Sequence, residues 1–301
     1  SKNSLFANRM RRLAATAAIG LAAVPRLALP AETNAPAGPA GPPKWEAGLF
    51  VGATRLPHYK GSAGSDTYVL PVPYFIYRGD WFQADRDGLR GIFFRNVHIE
   101  SLVSLSGHPP VDDDGARRGM PDLPALAEAG PALKWWPVGR RRPFACFVQL
   151  AARATLSVDV DDGLDMAYEG LRGELSLHCA RAFMKRRWRL GGALAGYAGD
   201  GRYHGFFYDV PARDATAARP AYDADSGYGG CGLSLFLTRR LTETLSGGIY
   251  ARWDYLGGAA FRESPLVERD NGCTLGAAII WRFARSKRHV TRNRNGEPDD
   301  S

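Results

Sequence analysis

Gly272-Cys273-Thr274-Leu275-Gly276-Ala277-Ala278-Ile279-Ile280-Trp281-Arg282-Phe283 reads by parity. Cys273, Leu275, Ala277, Ile279, Trp281 and Phe283 share one face. Thr274, Gly276, Ala278 and Arg282 share the other, with Ile280 as the exception. Successive strand side chains point to opposite faces, so this is a β-strand with one greasy and one polar side. The pattern recurs upstream. Leu245, Gly247, Ile249, Ala251, Trp253 and Tyr255 oppose Thr244, Ser246, Gly248, Tyr250, Arg252 and Asp254. Cys231, Leu233, Leu235 and Leu237 oppose Gly230, Gly232, Ser234 and Thr238. Phe144, Cys146, Val148, Leu150, Ala152 and Ala154 oppose Gln149, Arg153 and Thr155, and Leu171, Leu175, Leu177 and Cys179 oppose Arg172, Glu174, Ser176 and His178.

A soluble sandwich shows the same alternation with its greasy side inward. Three features favour a membrane. The clean segments are long for soluble strands and suit tilted spans of about 9–11 residues or more. Trp45, Trp135, Trp136, Trp188, Trp253, Tyr255 and Trp281 lie near their ends, as interfacial girdles require. The polar faces carry Arg153, Glu174, Arg252 and Asp254, charges suited to a wet lumen. Lipid cannot satisfy an open sheet edge, so the sheet must close. The expectation is an all-β, transmembrane, antiparallel up-and-down β-barrel.

Twelve strands are expected, at 45–54, 67–77, 80–86, 88–94, 97–106, 129–138, 143–157, 168–182, 187–209, 226–238, 242–256 and 269–283. Short and long connections then alternate almost throughout, as in bacterial barrels with short periplasmic turns and long outer loops. The segment 80–94 also reads as one kinked strand, and 187–209 as two strands around Gly199-Asp200-Gly201. Ten or fourteen strands therefore stay open.

Met10-Arg11-Arg12, the small and apolar Leu13–Val24 and the Ala-rich stretch to Ala31 have the layout of a secretory signal, residues 1–31. Residues 32–44 read as a flexible linker and 45–283 as the barrel, with 284–301 a polar, disordered tail. Residues 1–31 hold five Lys/Arg and no acid, leaving +3 of the formal +8, which removes most of the support for nucleic acid as a partner. From Trp45 to Phe283 no run of 18 apolar residues suggests a transmembrane helix.

Several loop stretches carry a resemblance: Leu56-Pro57-His58-Tyr59-Lys60-Gly61-Ser62, Arg117-Arg118-Gly119-Met120-Pro121-Asp122, Arg219–Gly230 with its Tyr222-Asp223-Ala224-Asp225, and Ala259–Val267 with its Ser264-Pro265-Leu266-Val267. Over about residues 45–283 the chain resembles the MipA/OmpV family of outer-membrane proteins. The resemblance implies a location in the bacterial outer membrane and a non-enzymatic scaffold role. It also implies periplasmic peptidoglycan-remodelling partners, a lytic transglycosylase and a penicillin-binding protein. A small-solute channel is the alternative.

The four cysteines share the greasy parity of four strands, where free Cys packs as a small hydrophobe; a disulfide needs neighbouring strands at matching height. His178, Ser176 and Glu174 form the best catalytic constellation. Residues two apart on one strand face sit about 6–7 Å apart, too far for a nucleophile–base bond. No cofactor or metal site is expected. Lumen charges Arg153, Glu174, Arg252 and Asp254 either line a narrow channel or form a plugged polar core. The expected periplasmic turns all carry cations: Arg78, Arg95, Arg140, Arg141, Arg142, Lys185, Arg186, Arg239 and Arg240. These meet outer-membrane lipid headgroups or form a docking rim for a periplasmic partner. The outer loops carry Asp112–Asp114, Asp159, Asp161, Asp162, Asp165, Asp223 and Asp225 instead.

Overall fold

The alternating segments close on themselves. The computed structural model describes residues 43–78, 82–85, 88–111, 115–139, 144–159 and 165–288. The expected signal, Arg140–Arg142, Asp112–Asp114, Asp161–Asp162, nearly all of the linker and most of the tail lie outside these residues. Twelve antiparallel strands form one closed barrel in which chain neighbours pair and the last returns to the first. They are β1 (Trp45–Pro57), β2 (Ser65–Arg78), β3 (Phe82–Asp85), β4 (Gly88–Arg95), β5 (Ile99–His108), β6 (Ala125–Trp135), β7 (Phe144–Asp159), β8 (Asp165–Phe183), β9 (Trp188–Gly199), β10 (Gly227–Arg240), β11 (Leu245–Tyr255) and β12 (Asn271–Arg285).

The long β5–β6, β9–β10 and β11–β12 connections lie at one end of the barrel, here the loop end, with the tight β3–β4 connection as the exception there; the other is the turn end. The wall is tallest at β7 and β8, of 16 and 19 residues, and lowest at β3 and β4, of 4 and 8. The stretch 80–94 is thus two strands and not one. β12 continues past Phe283 to Arg285, pairing Glu46 with Arg285 and Ala47 with Ala284.

Parity decides which face looks out. Leu150, Leu175, Leu194, Ile249 and Ile279 are exposed, whereas Gln149, Arg153 and Ser176 are buried inside. A greasy outside around a polar inside is what lipid demands of a barrel. Ile280, the exception to the polar parity, has its reason here: with Phe50, Val72, Phe236, Tyr250 and Ala278 it builds an apolar cluster on the lumen side. Among the girdle aromatics Trp135, Trp253, Tyr255 and Trp281 are exposed. Trp136 is buried and turns inward onto Phe147, ring centroids 5.2 Å apart, so it is not a girdle residue.

Two further expectations fail in the wall itself. The stretch 187–209 is neither one strand nor two: β9 ends at Gly199 and a helix, α1, runs from Gly201 to Tyr208. Asp200 accepts from the Tyr203 amide at 2.8 Å, an N-cap that fixes the first turn, and from the Leu171 amide at 2.9 Å, which ties the helix to β8. Gly170 (φ +102°) makes room, because a Cβ there would lie 2.2 Å from Asp200 Oδ1. The cysteines do not all pack as thiols. Cys146 and Cys179 are register partners on β7 and β8 with Cα atoms 4.2 Å apart, and they form a disulfide. Equal height on paired strands with equal parity was enough. Cys231 and Cys273 remain free thiols.

Candidate functional site

Loops with no strand periodicity build the loop end. Tyr59 of the β1–β2 loop, Val111, Met120 and Leu123 of the β5–β6 loop, Phe207, Tyr208 and Val210 of the β9–β10 loop, and Leu256, Ala259, Phe261 and Leu266 of the β11–β12 loop pack with Leu126 into one buried apolar core. Tyr208 stacks on Phe261 with ring centroids 3.7 Å apart, and His204 meets the same ring edge-on at 4.7 Å. Buried polar groups bind one loop to the next. Tyr59 Oη donates to the Leu266 carbonyl at 2.8 Å and Ser264 Oγ to the Tyr208 carbonyl at 2.7 Å. Arg117 donates to the carbonyls of Phe207 and Pro121, both at 3.2 Å, and Arg219 to that of Ala116 at 2.8 Å. The recurrent loop stretches of the sequence are therefore the interior of a cap.

Beneath the cap the lumen is charged, and its charges are matched. Arg153 contacts Glu174 at 3.0 Å and donates to Ser104 Oγ at 3.0 Å. Arg172 contacts Glu128 at 2.7 Å and approaches Glu174 at 4.0 Å. Arg252 forks onto Asp254 at 2.6 and 2.7 Å and donates to Tyr197 Oη at 2.9 Å. The four expected lumen charges thus fall into two groups, Arg153 with Glu174 and Arg252 with Asp254. Sequence reading put Arg172 and Arg282 on the polar parity without naming them as lumen charges, and it missed their partners, Glu128 at 2.7 Å and Glu46 at 2.8 Å. Lys60, from the β1–β2 loop, reaches Asp254 at 3.4 Å and lies 3.5 Å from the Tyr197 ring centroid. Burial pulls its ammonium down from 10.5 to about 7, with Arg252 and Arg172 pushing the same way and Asp254 opposing.

The Ser176–His178 separation is also corrected. Side chains on this strand lean together, so His178 Nε2 lies 2.9 Å from Ser176 Oγ, and Ser176 Oγ donates to Glu174 Oε1 at 3.2 Å. The Cα spacing along a strand sets no lower bound on how closely two long side chains approach. The serine hydroxyl thus sits between the Glu174 carboxylate and the His178 imidazole, whose role as donor or acceptor depends on its tautomer.

At the turn end Lys185 and Arg186 are exposed in the β8–β9 turn, and Arg239 and Arg240 at the end of β10. The two turns are joined where the Arg240 amide donates to the Arg187 carbonyl at 2.8 Å. Arg239 holds its guanidinium 5.0 Å from the Trp188 ring centroid. Met184, Lys185 and Arg186 all have positive φ, of 49°, 54° and 63°, an unfavourable conformation for L-residues. Of the nine cations read as a rim, four thus sit together. Arg78 and Arg95 end β2 and β4 at the same end of the barrel, and Arg140, Arg141 and Arg142 lie outside the described residues.

No curated protein matches the chain. Among solved structures it is similar to outer membrane phospholipase A from Escherichia coli, at 10% identity, 78% of this chain, 92% of that one and a TM-score of 0.31. It is also similar to a bacterial polysaccharide outer membrane secretin, at 8% identity, 79% and 99% coverage and a TM-score of 0.36. A third likeness is to Neisserial surface protein A, at 10% identity, 80% and 97% coverage and a TM-score of 0.18. At these scores nothing passes from those proteins to this chain. The family model described as MltA-interacting protein MipA, by contrast, matches residues 49–283, the barrel together with its cap, and the chain belongs to that family of outer-membrane β-barrel proteins.

Proposed function

We propose that this barrel is a non-catalytic scaffold that docks a periplasmic peptidoglycan-remodelling enzyme on its turn end. The observation that carries the reading is the asymmetry of the two ends. Loops with a shared apolar core occupy the loop end, while exposed Lys185, Arg186, Arg239 and Arg240 project from the turn end. Short turns face the periplasm in bacterial barrels, which puts the basic rim beside the wall. Family membership agrees, since the family's name denotes interaction with MltA. Such a rim steers association and makes it sensitive to salt. The two macromolecular partners it suits are a lytic transglycosylase and a penicillin-binding protein, with lipid headgroups as the alternative contact.

One further observation supports this role over transport. The lumen charges are held in ion pairs under a packed cap, which suits a plugged barrel better than an aqueous channel. The deciding experiment is affinity capture by the folded barrel in detergent, with Lys185→Glu/Arg186→Glu/Arg239→Glu/Arg240→Glu as the control. Recovery of a cell-wall enzyme by the parent and its loss from the control is expected. Recovery of none, together with conductance steps in planar bilayers, would replace the scaffold by the channel.

A further inference from the structure

The barrel wall is not equally tall all round. A span needs about 9–11 residues, and β3 has 4 and β4 has 8. β2 meets β3 only at Tyr77 and Arg78, leaving Ser65–Ile76 paired to β1 alone among the described residues. On the other side, β4 parts from β5 after Ile92↔Leu102, so among the described residues Val103–His108 pair only with β6. Where β3 and β4 intervene, β2 and β5 stand about 14 Å apart at normal strand spacing. Val103–His108 rise roughly 15 Å at ordinary tilt, more than half of an apolar band about 25 Å tall.

An unpaired edge inside lipid leaves backbone donors and acceptors unsatisfied, and the sequence of β2 answers that problem. Pro71 faces Val51 and Pro73 faces Leu49 in the β1–β2 ladder. A prolyl nitrogen carries no hydrogen, so the ladder to β1 must run through the even-numbered residues. The backbone groups of Thr67, Val69, Pro71, Pro73 and Phe75 then point to the open side, and two of the five donors that lipid would strand are absent. The same prolines deny an added strand two of the hydrogen bonds it would need, which is how edges resist pairing. A second copy or a partner's β-strand is therefore the wrong occupant. The flanking surface is apolar, with Val69 64% and Phe75 55% exposed. Just inside, Val72 is buried in the apolar lumen cluster with Phe50, Phe236, Tyr250 and Ile280, and Tyr74 packs against it.

We propose that the wall is laterally open between β2 and β5, and that an acyl chain of a bilayer lipid enters there to lie against Val72 and Tyr74. The opening lies towards the loop end, so on the orientation proposed above the chain comes from the outer leaflet. The inference does not depend on the scaffold role.

Photolabelling tests it. The full chain is reconstituted in phosphatidylethanolamine–phosphatidylglycerol vesicles containing a phospholipid with a diazirine on its acyl chain, folding is checked by heat-modifiable migration, and adducts are mapped by mass spectrometry. Lipid-facing Val69 should label in any case. The expected result is labelling of lumen-facing Val72 and Tyr74 with none at lumen-facing Gln149 and Ala151 on β7. Equal labelling of both walls would mean entry through an end of the barrel and would overturn the proposal. So would labelling of neither, or chain-to-chain adducts through β2, which would assign the edge to a second copy.

Discussion

Two interiors of opposite character share this barrel. The cap is held by apolar burial among four loops, with Phe261 and Leu266 almost wholly enclosed. The lumen layer beneath it is held by ion pairs between strands, Arg153 with Glu174, Arg172 with Glu128 and Arg252 with Asp254. The cap resembles the core of a small soluble domain, and each group lost from it leaves a void. In the lumen each group lost leaves a charge. The two layers should therefore fail differently under mutation.

The largest expected effect is in the cap. Phe261 is 2% exposed and stacks on Tyr208. Phe261→Ala should cost about 3–5 kcal/mol of cap stability. Limited proteolysis of the loops, read beside heat-modifiable migration, measures it: faster loop cleavage with an unchanged gel shift separates the cap from the barrel. If both collapse together, the two interiors are one cooperative unit and the contrast between them fails.

The next effect is in the lumen. Arg153→Met strands Glu174, whose next cation, Arg172, is 4.0 Å away, and should cost about 3 kcal/mol in urea unfolding from vesicles. Arg153→Met/Glu174→Gln should recover most of that loss. A double variant as unstable as the single one would mean that packing, not charge, holds this layer too.

A smaller effect is expected in the wall that encloses both. Cys146→Ser removes the β7–β8 disulfide and should cost about 2–3 kcal/mol, with the oxidised parent migrating differently from the reduced one. Cys231→Ser and Cys273→Ser should be near neutral. Equal losses at all four would show that lipid-side packing, and not the crosslink, is what the cysteines contribute.

The contrast between the two interiors is also a contrast in what sequence can reveal. Strands announce themselves because period two is forced by the backbone, so the strands, their faces and the polar parity of Arg153, Glu174, Arg252 and Asp254 could be read, with the count left between ten and fourteen. The cap could not, because loop residues obey no period. Met120, Ser264 and Leu266 were recognisable as a family's motifs without any sign that they touch. The helix α1 was missed although Asp200-Gly201 and the spacing of His204, Phe207 and Tyr208 announce a cap and an i, i+3, i+4 face. Cys146 and Cys179 needed register, which parity alone leaves open. Ser176 and His178 share one strand, and their contact depends instead on how two side chains lean.

Lys60 sits where the two interiors meet, and its effect is the smallest. Its carbonyl accepts from Tyr208 Oη at 2.8 Å in the cap, while its ammonium reaches Asp254 below. Burial holds the folded pKa at about 7 against an unfolded 10.5, with Asp254 of β11 raising it and Arg252 of β11 and Arg172 of β8 lowering it. The unfolded chain therefore binds one more proton than the folded one between these values. Stability must rise with pH across that window; the gain is lost as pH falls from 10.5 towards 7, and below 7 both states hold the proton. The gain should be about 1 kcal/mol between pH 7 and 8, the linkage expected for one proton. Lys60→Met, which keeps the stem over Tyr197 and removes the proton, should flatten the profile and leave the cap no less stable at pH 7. Loop proteolysis at pH 6.5, 7.5 and 8.5 measures both chains. A flat profile in the parent, or the same slope in Lys60→Met, would mean that the cap rests on the lumen layer without sharing a charge with it.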